Sequence, residues 1–127
     1  LSRHYIIFKS NHLLKDDFHE FIRSYGGGIN GVGHGFFKNN NAIIWISYGG
    51  DKLDKIFYKN ELALMNKKYN TFPDYDIVIE ASNYGNSKSL ALDFCKNFMS
   101  KYSDTVLYDN NGNYYSSLEI KNLKNIK

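Results

Sequence analysis

The sequence predicts an α+β fold: a two-layer sandwich in which a mixed, mainly antiparallel sheet of about five or six strands carries two long helices on one face, with a helical insert. Two short runs of consecutive apolar, β-prone residues, Tyr5-Ile6-Ile7-Phe8 and Ile77-Val78-Ile79, read as buried central strands. Two longer stretches repeat apolar residues at helical spacing. No repeat, linker or low-complexity block separates them, so residues 1–127 are expected to form one domain.

In chain order, residues 4–9 predict the first strand. Leu14, Phe18, Phe21, Ile22 and Tyr25 then recur at intervals of four, three, one and three, placing all five on one helical face. The glycines from Gly26 end that helix. Residues 32–38 and 42–48 predict a hairpin around Asn39-Asn40-Asn41, whose side chains tolerate positive φ. After Gly49-Gly50, Asp51 is placed to cap a helix that turns Leu53, Ile56 and Phe57 inward, and a second helical stretch follows over 60–69. Residues 61–65 are equally compatible with extended structure.

Pro73 precedes the strand over 75–82, and Asn86 or Ser87 can cap the next helix. There Ala91, Phe94, Cys95, Phe98, Met99 and Tyr102 form the clearest apolar stripe in the chain. Residues 105–108 predict a strand, 109–112 a turn and 113–116 an edge strand, followed by a polar, loosely held tail. Right-handed crossovers put both long helices on one sheet face, which gives a ferredoxin-like character and leaves the other face partly open.

Composition narrows the function classes. The net charge of +3 is modest and the Lys and Arg residues are scattered except at the tail Lys121, Lys124 and Lys127, unlike the concentrated stripe of a nucleic-acid binder. The longest apolar runs fall far short of the roughly 20 residues that span a bilayer. A single cysteine, Cys95, and a start, Leu1-Ser2-Arg3-His4, without a long apolar segment lead to the expectation of a reducing, cytoplasmic setting.

Catalytic patterns fail one by one. Gly26-Gly27-Gly28-Ile29-Asn30-Gly31 satisfies G-x-G-x-x-G, but it follows a helix and precedes a strand, the reverse of a phosphate-binding turn. His4, His12, His19 and His34 lack metal-site spacing and are expected as solvated surface residues, so no metal or other cofactor is expected. Cys95 sits in an apolar stripe, where a thiol lacks both access and a base. Acid pairs occur at Asp16/Asp17, Asp51/Asp54 and Asp74/Asp76, but acid-base chemistry needs an apolar cleft that the sequence does not reveal, and Asp51 with Asp54, three apart in a helix's first turn, suits capping better. The expectation is a binding protein rather than an enzyme.

Its unusual feature is an aromatic content of 17%, including 11 tyrosines, which offer large contact area and a hydroxyl that stays wet at an interface. Tyr5, Tyr25 and Tyr102 fit buried stripes, while Tyr48, Tyr58, Tyr69, Tyr75, Tyr84 and Tyr108 fall near element ends. Interleaved with Asp51, Asp54, Glu61, Asp74 and Asp109, several of these are expected to form an acidic-aromatic contact surface over 48–75 and the turn at 108–112.

The segment Asp76-Ile77-Val78-Ile79-Glu80-Ala81-Ser82, the apolar helix from Ser87, Lys101-Tyr102-Ser103-Asp104 and Tyr108-Asp109-Asn110-Asn111-Gly112-Asn113-Tyr114-Tyr115 together resemble the small immunity proteins encoded beside bacterial polymorphic toxins, including those of contact-dependent growth inhibition. The resemblance covers about the last half of the chain. It implies an inhibitor without catalytic residues that binds a cognate toxin domain, often a nuclease, as a 1:1 heterodimer and blocks its active site or substrate groove. Inhibitors of basic nucleases are commonly acidic, and this chain departs from that pattern. A second reading is a ferredoxin-like nucleic-acid-binding module using Tyr5, Phe37 and Trp45 with Lys38 and Arg3. A third is a small-molecule enzyme or ligand sensor with its acids in a cleft.

Overall fold

Alternation along each strand determines which side chains the sheet sends to which face. The computed structural model describes residues 3–127; Leu1 and Ser2, part of the start read above for a secretion signal, lie outside the described residues. One open sheet of seven strands forms in the order β2-β3-β4-β5-β1-β6-β7, with every neighbouring pair antiparallel. The strands are β1 (Arg3–Lys9), β2 (Gly28–Ile29), β3 (Gly35–Asn39), β4 (Ala42–Tyr48), β5 (Tyr75–Ala81), β6 (Thr105–Tyr108) and β7 (Tyr114–Ser116). The helices are α1 (Lys15–Ser24), α2 (Lys59–Tyr69) and α3 (Ser87–Lys101). The fold is therefore α+β, with seven strands where five or six were expected; the addition is β2, two residues too short to leave a periodic signal.

Strand β1 is central and buried, with β5 on one side and β6 on the other. Its Tyr5 and Ile7 join Ile44, Ile46, Ile77, Ile79 and Leu107 on the face covered by α1 and α3. From the helices Phe18, Phe21 and Ile22 meet Ala91, Phe94, Cys95, Phe98 and Met99. Phe98 anchors this core through an edge-to-face contact with Phe21 at 5.2 Å and a stacked contact with Phe94 at 5.4 Å.

The opposite face carries Ile6, Phe8 and Val106, covered by Met65 of α2 and by Leu53. This is the insert, and the cluster it covers reaches from Val78 of β5 across β1 and β6 to Tyr114 of β7. Towards β3 and β4, Trp45 is exposed. Tyr5 and Phe37 turn to the helix side, so the aromatic set considered for nucleic-acid contact does not share a face with Trp45.

Several local expectations are corrected. Leu14 precedes α1 in extended conformation and is exposed, its place in the core taken by Leu13; Tyr25 follows the helix with non-helical angles and is exposed too. The strand expected from residue 32 begins at Gly35, and Val32 is exposed. No helix forms at Asp51, because the Leu53 amide donates to the Asp74 carbonyl at 2.7 Å and ties the segment to the far side of its own connection. Neither Asn86 nor Ser87 caps α3 with its side chain; the buried Ser87 hydroxyl instead donates to the Tyr84 carbonyl and accepts from the Ile43 amide. The tail is not loose: Ile120 and Ile126 enter the core.

The hairpin does follow its asparagines. Asn39 pairs with Ala42, leaving a two-residue turn in which Asn40 adopts φ 56°.

Candidate interaction surface

Strands β4 and β5 are joined by residues 49–74, which leave and rejoin the sheet at the same end. Two contacts with Asp74 clamp this connection: its carbonyl takes the Leu53 amide, and its carboxylate pairs with Lys55 at 2.7 Å. The Lys55 ammonium holds the Asp74 carboxyl below the usual carboxylate range. Asp54 accepts the amides of Ile56 and Phe57 on Oδ1, both at 3.0 Å, and so fixes a tight turn rather than a helix start.

The turn sends two apolar side chains outward. Ile56 is 88% exposed and Phe57 74%, the reverse of the inward placement expected for them. Phe72, on the returning arm of the same clamp, is 69% exposed. Asp51, Lys52, Lys55 and Lys59 are exposed around them, which makes the region mixed in charge rather than acidic.

The ten residues expected at a contact surface divide into distinct settings. Asp51 and Asp54 are exposed beside Ile56 and Phe57, and Asp74 is the clamp. Tyr48 and Tyr75 are half-buried where the connection meets the sheet. The Tyr48 hydroxyl donates to the Leu13 carbonyl at 2.7 Å, and Tyr75 packs on the His12 ring at 4.8 Å. The crevice between them leaves about 20 Å³, room for roughly one water and for no substrate.

Tyr58, Glu61 and Tyr69 lie where α2 meets the sheet. Tyr58 packs edge-on against Phe8 at 5.2 Å, and burial followed by the nearby Asp76 carboxylate pushes its hydroxyl up to about 12. Burial raises the Asp76 carboxyl in turn. The Tyr69 hydroxyl donates to Glu119 at 2.6 Å; burial and that acceptor raise its pKa, while Glu119 is lowered by the same bond. Glu61 Oε2 is buried without a protein donor.

Tyr108 and Asp109 lie on the far side of β1 from Tyr48 and Tyr75; Tyr108 is level with Ile6, one position from the Ile7 level of Tyr48, and packs on the opposite face of the sheet. Tyr108 stacks on Tyr114 at 4.7 Å. Asp109 is 4% exposed and accepts from the Asn111 and Asn113 amides and the Asn113 side chain, holding the 109–112 turn. A shallow groove of Leu64, Lys67 and Lys68 with Gly112 and Tyr114 joins α2 to that turn.

The remaining chemical candidates have structural partners. His12 and His19 contact the carbonyls of Gly50 and Gly33, His34 Nδ1 accepts the Tyr48 amide, and His4 lies 3.9 Å from Glu80. His19 and His34 are thus partly buried and bonded rather than solvated. Cys95 is fully buried, which pushes its thiol well above the ordinary range. Among the described residues no helix is long and apolar enough to cross a membrane, and no three His, Cys, Asp or Glu side chains converge as metal ligands.

Sequence reasoning missed Ile56, Phe57 and Phe72 as surface residues. Apolar periodicity cannot tell a buried face from one left in solvent; here the tertiary bond from Leu53 to Asp74 decides it. No protein-family model, curated protein or solved structure matches the chain.

Proposed function

We propose that this protein is an immunity-type inhibitor that binds a cognate bacterial toxin domain in the cytoplasm and blocks its active site or substrate groove. The observation that carries the reading is the outward display of Ile56, Phe57 and Phe72 on a connection clamped to the sheet at Asp74. Three large exposed apolar groups on one short connection suit a contact site, and a pre-ordered segment loses little entropy on binding. Tyr48, Asp51, Asp54, Tyr58, Glu61, Tyr69 and Tyr75 would support or border that contact, with Tyr108 and Asp109 forming a separate end of it.

The charge of the chain fits this reading once affinity comes from apolar contact. Asp51 and Asp54 alternate with Lys52 and Lys55, so the partner need not be strongly basic. The four strands β4-β5-β1-β6, linked by α1 and α3, support a ferredoxin-like core extended by the β2-β3 arm, β7 and the α2 insert. The nucleic-acid reading has weaker support, since Tyr5 and Phe37 are unavailable on the open face.

The test is co-expression with the toxin domain encoded beside this gene. Rescue of growth and recovery of a 1:1 complex are expected; full toxicity with no complex would refute the reading.

A further inference from the structure

Away from the 49–74 connection, four aromatic rings line a cleft between the end of α1, strand β3 and helix α3. Phe21 and Tyr25 have centroids 4.7 Å apart, Phe21 and Phe94 meet edge-to-face at 5.9 Å, and Phe37 and Phe94 lie 5.8 Å apart. The cleft measures about 220 Å³. Pockets for whole small-molecule ligands begin near 300 Å³, so this one suits a single side chain.

The glycine run explains how the wall is built. A Cβ on Gly27 would lie 2.9 Å from the Phe37 ring, 2.8 Å from Ile22 and 2.7 Å from the Phe36 carbonyl. Glycine there lets Phe37 lean against the chain between α1 and β2, so the motif that fails as a phosphate loop serves the cleft.

Asp93, exposed at the rim, is the only charged group among the lining residues, and Asn97 lies one helical turn on. Aromatic faces carry partial negative charge, which the carboxylate reinforces. Phe21 already attracts a cation within the chain, the Lys101 ammonium at 5.9 Å from its centroid. A guanidinium meets these conditions better than an ammonium: it is planar, weakly hydrated, stacks on rings and donates two parallel bonds to a carboxylate.

We propose that this cleft is a second contact site, receiving an arginine side chain of a partner protein with its guanidinium at the Asp93 rim. The assignment stands independently of the toxin reading, because it depends only on the cleft.

The test is an NMR titration of the full chain with N-acetylarginine N-methylamide and, in parallel, with its uncharged citrulline counterpart at constant chloride. Saturable shifts at Tyr25, Asp93 and Asn97 are expected, with the citrulline probe binding about threefold more weakly or worse. Tyr25→Phe, which keeps the ring, should retain binding, while Tyr25→Ala and Asp93→Asn should weaken it. Equal affinity for the two probes, or no saturable shift with the arginine probe, would overturn the proposal. The two-probe comparison on the unmodified chain decides the matter even if a variant fails to fold.

Discussion

The two faces of the sheet are built from different materials. Against α1 and α3 the sheet presents Ile, Ala and Leu together with Tyr5, and the helices answer with Phe18, Phe21, Phe94 and Phe98, most of them fully buried. Against α2 the core shrinks to Ile6, Phe8, Leu53, Met65 and Val106, ringed by Tyr58, Tyr69, Tyr108 and Tyr114. The first face holds the larger of the two core clusters. The second couples its tyrosine hydroxyls to acids, and the clamped turn leading into α2 leaves Ile56 and Phe57 in water. The larger core and the exposed apolar turn thus belong to opposite sides of one sheet.

That division is broken most directly by truncation on each side. Phe98→Ala, which empties a site touching Phe21, Phe94 and Tyr102, should cost about 3–5 kcal/mol in denaturant unfolding. A comparable loss from an exposed residue of the insert would contradict the division.

An ion pair at the sheet end ranks next. Lys9 is 4% exposed, with its ammonium 2.8 Å from Asp104, so Asp104→Ala should cost about 3 kcal/mol at neutral pH by leaving that charge buried alone. Burial alone would raise the Asp104 carboxyl, but the Lys9 ammonium and the Asn11 amide outweigh it and hold it below the usual range. A depressed carboxylate stabilises the fold above its unfolded pKa, and that stabilisation is lost as pH falls through the folded value. The gap between Asp104→Ala and the unmodified protein should therefore narrow in acid, as unfolding curves measured from neutral pH downward would show.

On the α2 side the effects are smaller. Met65→Ala should cost about 2 kcal/mol, at the lower end for a buried methionine, because few other residues share its core. Tyr69→Phe removes the hydroxyl that reaches Glu119 and the Tyr114 carbonyl and should cost about 1 kcal/mol by thermal unfolding.

The sequence shows the first face more clearly than the second. Runs such as Ile77-Val78-Ile79 and the α3 stripe repeat because each lies against a continuous apolar layer, and both appear where they were expected. Ile120, Leu123 and Ile126 recur every three residues among lysines and asparagines, a pattern too short and too polar in its surroundings to read as core, yet Ile120 and Ile126 are buried and Leu123 packs against the same cluster. Asp109 reads as a surface acid, yet the amides of its own turn enclose it. Of the proposed contact surface, position along the chain was legible but direction was not: the 49–74 connection could be singled out, whereas the outward aim of Ile56 and Phe57 depends on the bond from Leu53 to Asp74, 21 positions further along.

The central claim rests on Phe57, and the direct measurement is the dissociation constant for the cognate toxin domain of the unmodified chain, Phe57→Ala and Tyr84→Ala. Tyr84 is 69% exposed in the β5–α3 connection at the far end of the sheet. Phe57→Ala should weaken binding about thirtyfold or more while stability changes by less than about 0.5 kcal/mol, and Tyr84→Ala should change neither. An unchanged dissociation constant for Phe57→Ala, or a larger loss from Tyr84→Ala, would contradict the account.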